Sequence, residues 1–170
     1  QANPLTPGGA PTRCQIADIN GDKKTDLVAL MSPNNGATLA VYFGTATTAA
    51  PFFTNANPLT YGINAANQNP QWFELGDLNN DGKIDAVVSD QATNSLRVFL
   101  GNGTVNATFQ APSAPILVGT DPRGLALADF NGDGRLDVAV ASNGTNYINV
   151  LLGNGDGTFG LRQDFVSLTG

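Results

Sequence analysis

Asp18-Ile19-Asn20-Gly21-Asp22-Lys23-Lys24-Thr25-Asp26, Asp77-Leu78-Asn79-Asn80-Asp81-Gly82-Lys83-Ile84-Asp85 and Asp129-Phe130-Asn131-Gly132-Asp133-Gly134-Arg135-Leu136-Asp137 are three copies of one pattern. Each copy carries a short oxygen-bearing side chain at its first, third, fifth and ninth positions. Hard cations are held by such sets of closely spaced oxygens, in loops tight enough to bring them to one point.

Calcium suits the pattern best, because it takes six to eight oxygen ligands at about 2.3–2.6 Å in flexible geometry. Three sites are expected, one per copy. The candidate side-chain ligands are Asp18, Asn20, Asp22 and Asp26; Asp77, Asn79, Asp81 and Asp85; and Asp129, Asn131, Asp133 and Asp137. The seventh position gives a backbone carbonyl, so it is free to be Lys24, Lys83 or Arg135. Glycine at the fourth and sixth positions eases the left-handed backbone of a tight curl. Only the third copy has both; the first has Lys23 at the sixth position and the second has Asn80 at the fourth. The first loop is therefore expected to be the weakest or most strained.

An EF-hand needs a bidentate glutamate at position 12 and a helix on each side. Here that position is Ala29, Val88 and Val140, inside apolar runs. A dockerin-type loop fails for the same reason. Magnesium demands stricter octahedral geometry. Metal-free Asn-Gly or Asp-Gly turns are the simplest alternative, but converging carboxylates in all three copies would repel one another without a cation.

The repeat extends beyond the loop. Pro11, Pro70 and Pro122 precede the first aspartate at one fixed distance. Alternating stretches then enter the loop: Cys14-Gln15-Ile16-Ala17, Phe73-Glu74-Leu75-Gly76 and Leu125-Ala126-Leu127-Ala128. After it come Leu27-Val28-Ala29-Leu30, Ala86-Val87-Val88-Ser89 and Val138-Ala139-Val140-Ala141, the composition of a strand buried on both faces. Polar turns at 32–36, 90–94 and 142–146 lead to a third alternating strand. That strand closes at Gly44, Gly101 and Gly153, and an aromatic follows at Phe52, Phe109 and Phe159.

A unit of roughly 50 residues with three to four short strands is a β-propeller blade. Period-two alternation excludes a helical solenoid. The predicted fold is thus all-β: three four-stranded antiparallel repeats, an incomplete ring alone. One repeat domain spans 1–170, with blades at about 11–55, 70–112 and 122–165. Partial strand segments are expected at 1–10 and 161–170, since Ala2-Asn3-Pro4-Leu5-Thr6 recurs as Ala56-Asn57-Pro58-Leu59-Thr60.

These residues, together with Val150-Leu151-Leu152-Gly153-Asn154-Gly155-Asp156-Gly157-Thr158-Phe159, resemble the FG-GAP/VCBS repeat family. The resemblance implies blades of the integrin-α-type β-propeller. It also implies calcium in the hairpin loop between the first two strands of a blade. The third unit is the most similar. The first departs most, with Gly44-Thr45-Ala46-Thr47-Thr48-Ala49-Ala50-Pro51-Phe52 in place of the glycine-rich loop.

Closed propellers have about four to eight blades. Three units imply either a piece of a longer propeller or self-association. In the second case the C-terminal strand of one copy completes the N-terminal blade of another, giving a ring or a filament.

Composition narrows the function. The chain has 170 residues, 41% of them hydrophobic, and no apolar run approaching the roughly 18 needed for a membrane helix. Eight basic residues against 14 acidic, without a basic cluster, argue against nucleic-acid binding. The net charge of −6 is one that three calcium ions would offset. With no histidine, Ser-His-Asp catalysis and His-ligated zinc or iron are excluded. The one cysteine, Cys14, is expected to be a buried strand residue.

The expected function is a non-enzymatic extracellular module for adhesion, recognition or surface assembly, with structural calcium. A protein or glycan is its expected surface ligand. A carbohydrate-binding lectin is the alternative, with Trp72, Tyr61 and Tyr147 available to stack on sugar rings. The acids outside the loops, Glu74, Asp90, Asp121, Asp156 and Asp164, show no paired catalytic spacing. Those in turns, Asp90, Asp121 and Asp156, are expected to be solvated. Asn102-Gly103-Thr104, Asn106-Ala107-Thr108 and Asn143-Gly144-Thr145 fit the N-glycosylation pattern, which is also that of ordinary turns.

Overall fold

The computed structural model describes residues 9–33, 37–46, 52–53, 58–63, 69–104 and 108–166. Residues 1–8 and 167–170, the Asn106 acceptor, part of the Ala56–Thr60 motif and parts of the 32–36 turn and the 44–52 loop lie outside the described residues.

The described residues form twelve strands and no helix. The first repeat comprises β1 (Gly9–Ala17), β2 (Asp26–Pro33), β3 (Thr38–Tyr42) and β4 (Leu59–Gly62). The second comprises β5 (Pro70–Gly76), β6 (Asp85–Asp90), β7 (Ser95–Phe99) and β8 (Ile116–Leu117). The third comprises β9 (Pro122–Ala128), β10 (Asp137–Ser142), β11 (Tyr147–Leu151) and β12 (Gln163–Val166). Each repeat is a separate four-stranded antiparallel meander in chain order. The arc of three sheets is open, with β1 next to β5 and β5 next to β9.

The repeated proline has a local role. Register shifts fall at Pro11/Arg13, at Pro70/Trp72 and beside Pro122, so each first strand bulges just after its proline. Proline donates no ladder hydrogen bond and is confined to such positions.

Fourth strands fall outside the expected bounds. β4 lies beyond residue 55 and β8 beyond residue 112, the limits read for the first two blades. They have four and two residues, too few for a sequence pattern to mark them. β12 lies in the 161–170 segment read as a leftover, yet it pairs with β11 inside its own sheet: Ile148 opposite Phe165, Val150 opposite Gln163. Donating this strand to another copy would first remove it from β11.

Alternation within the strands builds the core. Val28, Leu30, Leu39 and Val41 of the first sheet meet Phe73, Ala86, Val88 and Phe99 of the second. The other face of the second sheet, with Val87, Leu96 and Val98, meets Leu125, Val138, Val140 and Leu151 of the third. The middle sheet is therefore buried throughout β6 and β7, whereas β10 and β11 bury one face only.

Cys14 sits in β1, as expected, but is exposed rather than buried. Its counterparts Phe73 and Leu125 are covered by the preceding sheet. The first sheet has no described sheet before it, so Cys14 and the neighbouring Ile16 (66% exposed) face outward.

Candidate metal centres

In all three repeats the acidic loop joins the first strand to the second. Its last aspartate begins the second strand with no exposed surface: Asp26, Asp85 and Asp137 are each 0% exposed. One oxygen of each accepts the amide of the loop's second residue, Ile19 at 3.0 Å, Leu78 at 2.8 Å and Phe130 at 2.9 Å. The other accepts the amide of the glycine two residues beyond the third strand, Gly44 at 2.8 Å, Gly101 at 2.6 Å and Gly153 at 2.8 Å. Burial pushes the Asp26 and Asp85 carboxyls above the ordinary range, and the nearby loop aspartates add to it.

The glycine is required by space. A Cβ on Gly44, Gly101 or Gly153 would lie 2.3, 2.3 and 2.1 Å from the backbone oxygen of Thr25, Ile84 and Leu136. These glycines also pair across the loop with an aromatic: Gly44 with Phe53, Gly101 with Phe109, Gly153 with Phe159. In the first repeat the partner is Phe53, not Phe52, which is exposed.

The first and third positions converge. The amide of Asp22 lies 3.1 Å from Asp18 Oδ1 and 2.9 Å from Asn20 Oδ1. Asp81 meets Asp77 and Asn79 in the same way at 3.1 Å each, and Asp133 meets Asp129 and Asn131 at 3.1 and 2.9 Å. The second carboxylate oxygen of the first position accepts the sixth amide at 2.8 Å in every loop. The amides of Gly134, Gly132 and Asp133 hold the Asp129 carboxyl below the ordinary range.

This curl needs left-handed backbone at the fourth and sixth positions. Gly21 (φ 76°) and Lys23 (φ 65°), Asn80 (φ 58°) and Gly82 (φ 78°), and Gly132 (φ 77°) and Gly134 (φ 82°) provide it. Lysine there clashes with its own carbonyl where glycine does not. The first loop also leaves Asn20 Nδ2 buried without a partner. In the third loop the equivalent Asn131 Nδ2 donates to Asp133.

The fifth position differs among loops. Lys24 Nζ lies 2.8 Å from Asp22 and Lys83 Nζ lies 3.1 Å from Asp81. The Lys24 ammonium lowers the Asp22 carboxyl, and Asp22 in turn raises Lys24. Burial would raise Asp81, but the Lys83 amide and ammonium outweigh it and leave it lowered. Among the described residues no ion pair joins Arg135 to Asp133; Arg135 lies along Gly155 instead.

Among the described residues no three or more Asp, Glu, Cys or His side chains close into a cage. The carboxylates at the first, fifth and ninth positions are each turned to backbone amides. The donor set still fits calcium in kind: every group is a hard oxygen, with no sulfur or imidazole. A carboxylate has about four lone-pair sites, so one to three amide bonds leave capacity on each.

The remaining acids have structural partners. Glu74 accepts from Arg13, Gln15 and Trp72, joining the first two sheets at β1 and β5. Asp90 is fully buried rather than solvated, and holds the amides of Asn69 and Ala92 and the Thr93 hydroxyl. Asp121 accepts from Asn143, Arg123 and Gln91, linking the turns of the second and third sheets. Asp156 caps Thr158, and Asp164 accepts from Asn149 and Arg162. The roles of Asp90 and Asp121 are missed in sequence because a turn aspartate reads alike whether a neighbouring sheet covers it or not.

Of the sugar-stacking candidates, Trp72 lies beneath the Arg13 guanidinium, 3.4 Å from the ring centre. Tyr61 packs edge-on against Phe109 and its hydroxyl bonds Thr108. Tyr147 is half-buried opposite Val166.

A family model described as FG-GAP-like repeat matches residues 18–88, 77–140 and 129–170. No curated protein matches the chain.

Proposed function

The chain belongs to the FG-GAP-like repeat family, and from that premise we propose that it is a calcium-clasped, non-enzymatic propeller-type module of the extracellular space. The observation carrying this reading is the threefold convergence of first- and third-position oxygens on the fifth-position amide. One calcium per loop would be held by Asp18, Asn20, Asp22, Asp26 and the Lys24 carbonyl, and by the matching residues of the other loops. When bound, the ion neutralises the loop aspartates. The chain's own part is to hold the loop between two strands through the buried ninth-position carboxylate.

Extracellular calcium modules bind at about 10⁻⁴–10⁻³ M, which supports an outside location. The absence of histidine and the structural partners of all five non-loop acids support a role without catalysis. The adhesion or recognition partner is a protein or glycan surface. Nucleic acid and membrane insertion are outside this reading.

Thermal melting with calcium and with chelator tests it, beside calorimetric titration. Calcium is expected to raise the melting temperature, and chelator to reverse it. Unchanged melting, with no heat of binding, would refute the metal assignment. Retention on a glycan array, abolished by Trp72→Ala, would favour the lectin alternative.

A further inference from the structure

Arg97 lies in the middle of β7, opposite Val88 and on the face that meets the first sheet. It is only 7% exposed. Its one hydrogen bond among the described residues runs from Nη1 to the Ser113 carbonyl, at 3.2 Å. Nε is fully covered and has no partner. The guanidinium edge formed by Nε and Nη2 is therefore without an acceptor.

Its charge is uncompensated as well. All 14 acidic residues are among the described ones. Asp22, Glu74, Asp81, Asp121 and Asp164 pair with other bases, and none of the 14 lies within ion-pairing distance of Arg97. A buried ion without a partner is strongly destabilising, and buried charges are ordinarily paired.

The third repeat shows what this position takes. Arg97 is the third residue of β7, as Asn149 is of β11. Asn149 is fully buried, and its Nδ2 donates at 2.8 Å to Oδ1 of Asp164, directly opposite in β12. In the second sheet Leu96 is opposite Ile116. Continuing that register brings Pro115 opposite Arg97, so the outer strand supplies no carboxylate there. This side of the sheet is open to approach. Ala111, Ala114 and Pro115 are exposed, and among the described residues the 111–115 segment is tied to β7 only through Ser113.

We propose that Arg97 is a carboxylate-binding residue, whose Nε–Nη2 edge takes a carboxylate from outside the chain in the place that Asp164 fills beside Asn149. The planar fork of arginine matches a carboxylate with two parallel hydrogen bonds. Outward movement of the 111–115 segment uncovers Nε and admits the ligand. The site is independent of the calcium reading, which the chelator melt tests separately.

Nuclear magnetic resonance of the parent protein at constant calcium decides it, by following the Arg97 Nε–H signal through a titration with sodium formate. The signal is expected to shift and saturate, with sodium chloride at equal ionic strength leaving it in place. The same titration with acetyl-glutamate amide distinguishes the source of the carboxylate. Tighter binding than formate marks a site for an acidic side chain of another polypeptide, and weaker binding marks one for a free small carboxylate. Formate is also expected to raise the melting temperature of the parent and of Arg162→Met above that in chloride, and to leave Arg97→Met unchanged. An Nε–H signal that neither carboxylate moves, or an Arg97→Met variant that responds to formate like the parent, would overturn the proposal.

Discussion

Asp85 Oδ1 lies 2.6 Å from the amide nitrogen of Gly101, tying the start of β6 to the chain two residues beyond β7. The same carboxylate holds Leu78 at the entrance of the acidic loop. One buried side chain thus locks three points of the middle sheet, and Asp26 and Asp137 repeat the arrangement.

Replacing this acceptor is expected to be costly. Asp85→Asn sets an amide donor against one of two backbone donors, and a buried unsatisfied polar group costs about 1–3 kcal/mol. Denaturant unfolding should show a loss of about 2 kcal/mol. An unchanged midpoint would mean the Leu78 and Gly101 amides have other partners.

Gly101→Ala tests the close approach behind the same bond. Its Cβ would fall 2.3 Å from Ile84 O, which backbone must yield to accommodate. A loss of about 2–3 kcal/mol is expected. Gly62→Ala, with open space around it, is the control and should melt near the parent.

Lys23→Gly should stabilise the first loop. Left-handed lysine costs about 1–2 kcal/mol, offset by the added freedom of glycine in the unfolded chain. The net gain expected is about 0.5–1 kcal/mol. Thermal melting of the calcium-free protein checks it, and destabilisation would show that the Lys23 side chain contributes more than its backbone costs.

Lys83→Met should tighten calcium binding at the second loop. A unit charge at this separation near water contributes about 1 kcal/mol, or about fivefold in affinity. Arg135→Met should change the third loop less, since Arg135 is not paired with Asp133. Calorimetric titration of both variants compares them, and equal effects would contradict the structural difference.

Asp121 gives a pH dependence. Asn143, then Arg123 and Gln91, hold its carboxyl below the ordinary range. A lowered folded-state value adds stability at pH above the unfolded carboxyl's value, lost as pH falls through the lower folded one. The melting temperature of the parent minus that of Asp121→Ala should therefore shrink on acidification. A difference that stays constant would place the aspartate's effect in packing rather than charge.

The position and curl of the acidic loops were legible because a short-range curl depends on local spacing. Asp18, Asn20 and Asp22 lie within five residues, and the Oδ1 atoms of the first two meet on the amide of the third. Strand alternation was equally local, so β2, β6 and β10 stood out. β4 and β8 did not, because a short edge strand is selected by its neighbour rather than by its own pattern. Phe53 replaced Phe52 for a related reason: which of two adjacent aromatics faces Gly44 depends on the path of the loop.

From the sequence alone came the repeat, the acidic loop and the all-β class, each encoded in periodicities of a few residues. Burial required the tertiary structure. Cys14, Phe73 and Leu125 occupy one position of the repeat, yet Cys14 is exposed and the other two are covered. Ile19, Leu78 and Phe130 share another, and only Phe130 is open. Burial of a side chain depends on the sheet stacked against it, and equivalent repeat positions at the middle and the end of an arc meet different neighbours.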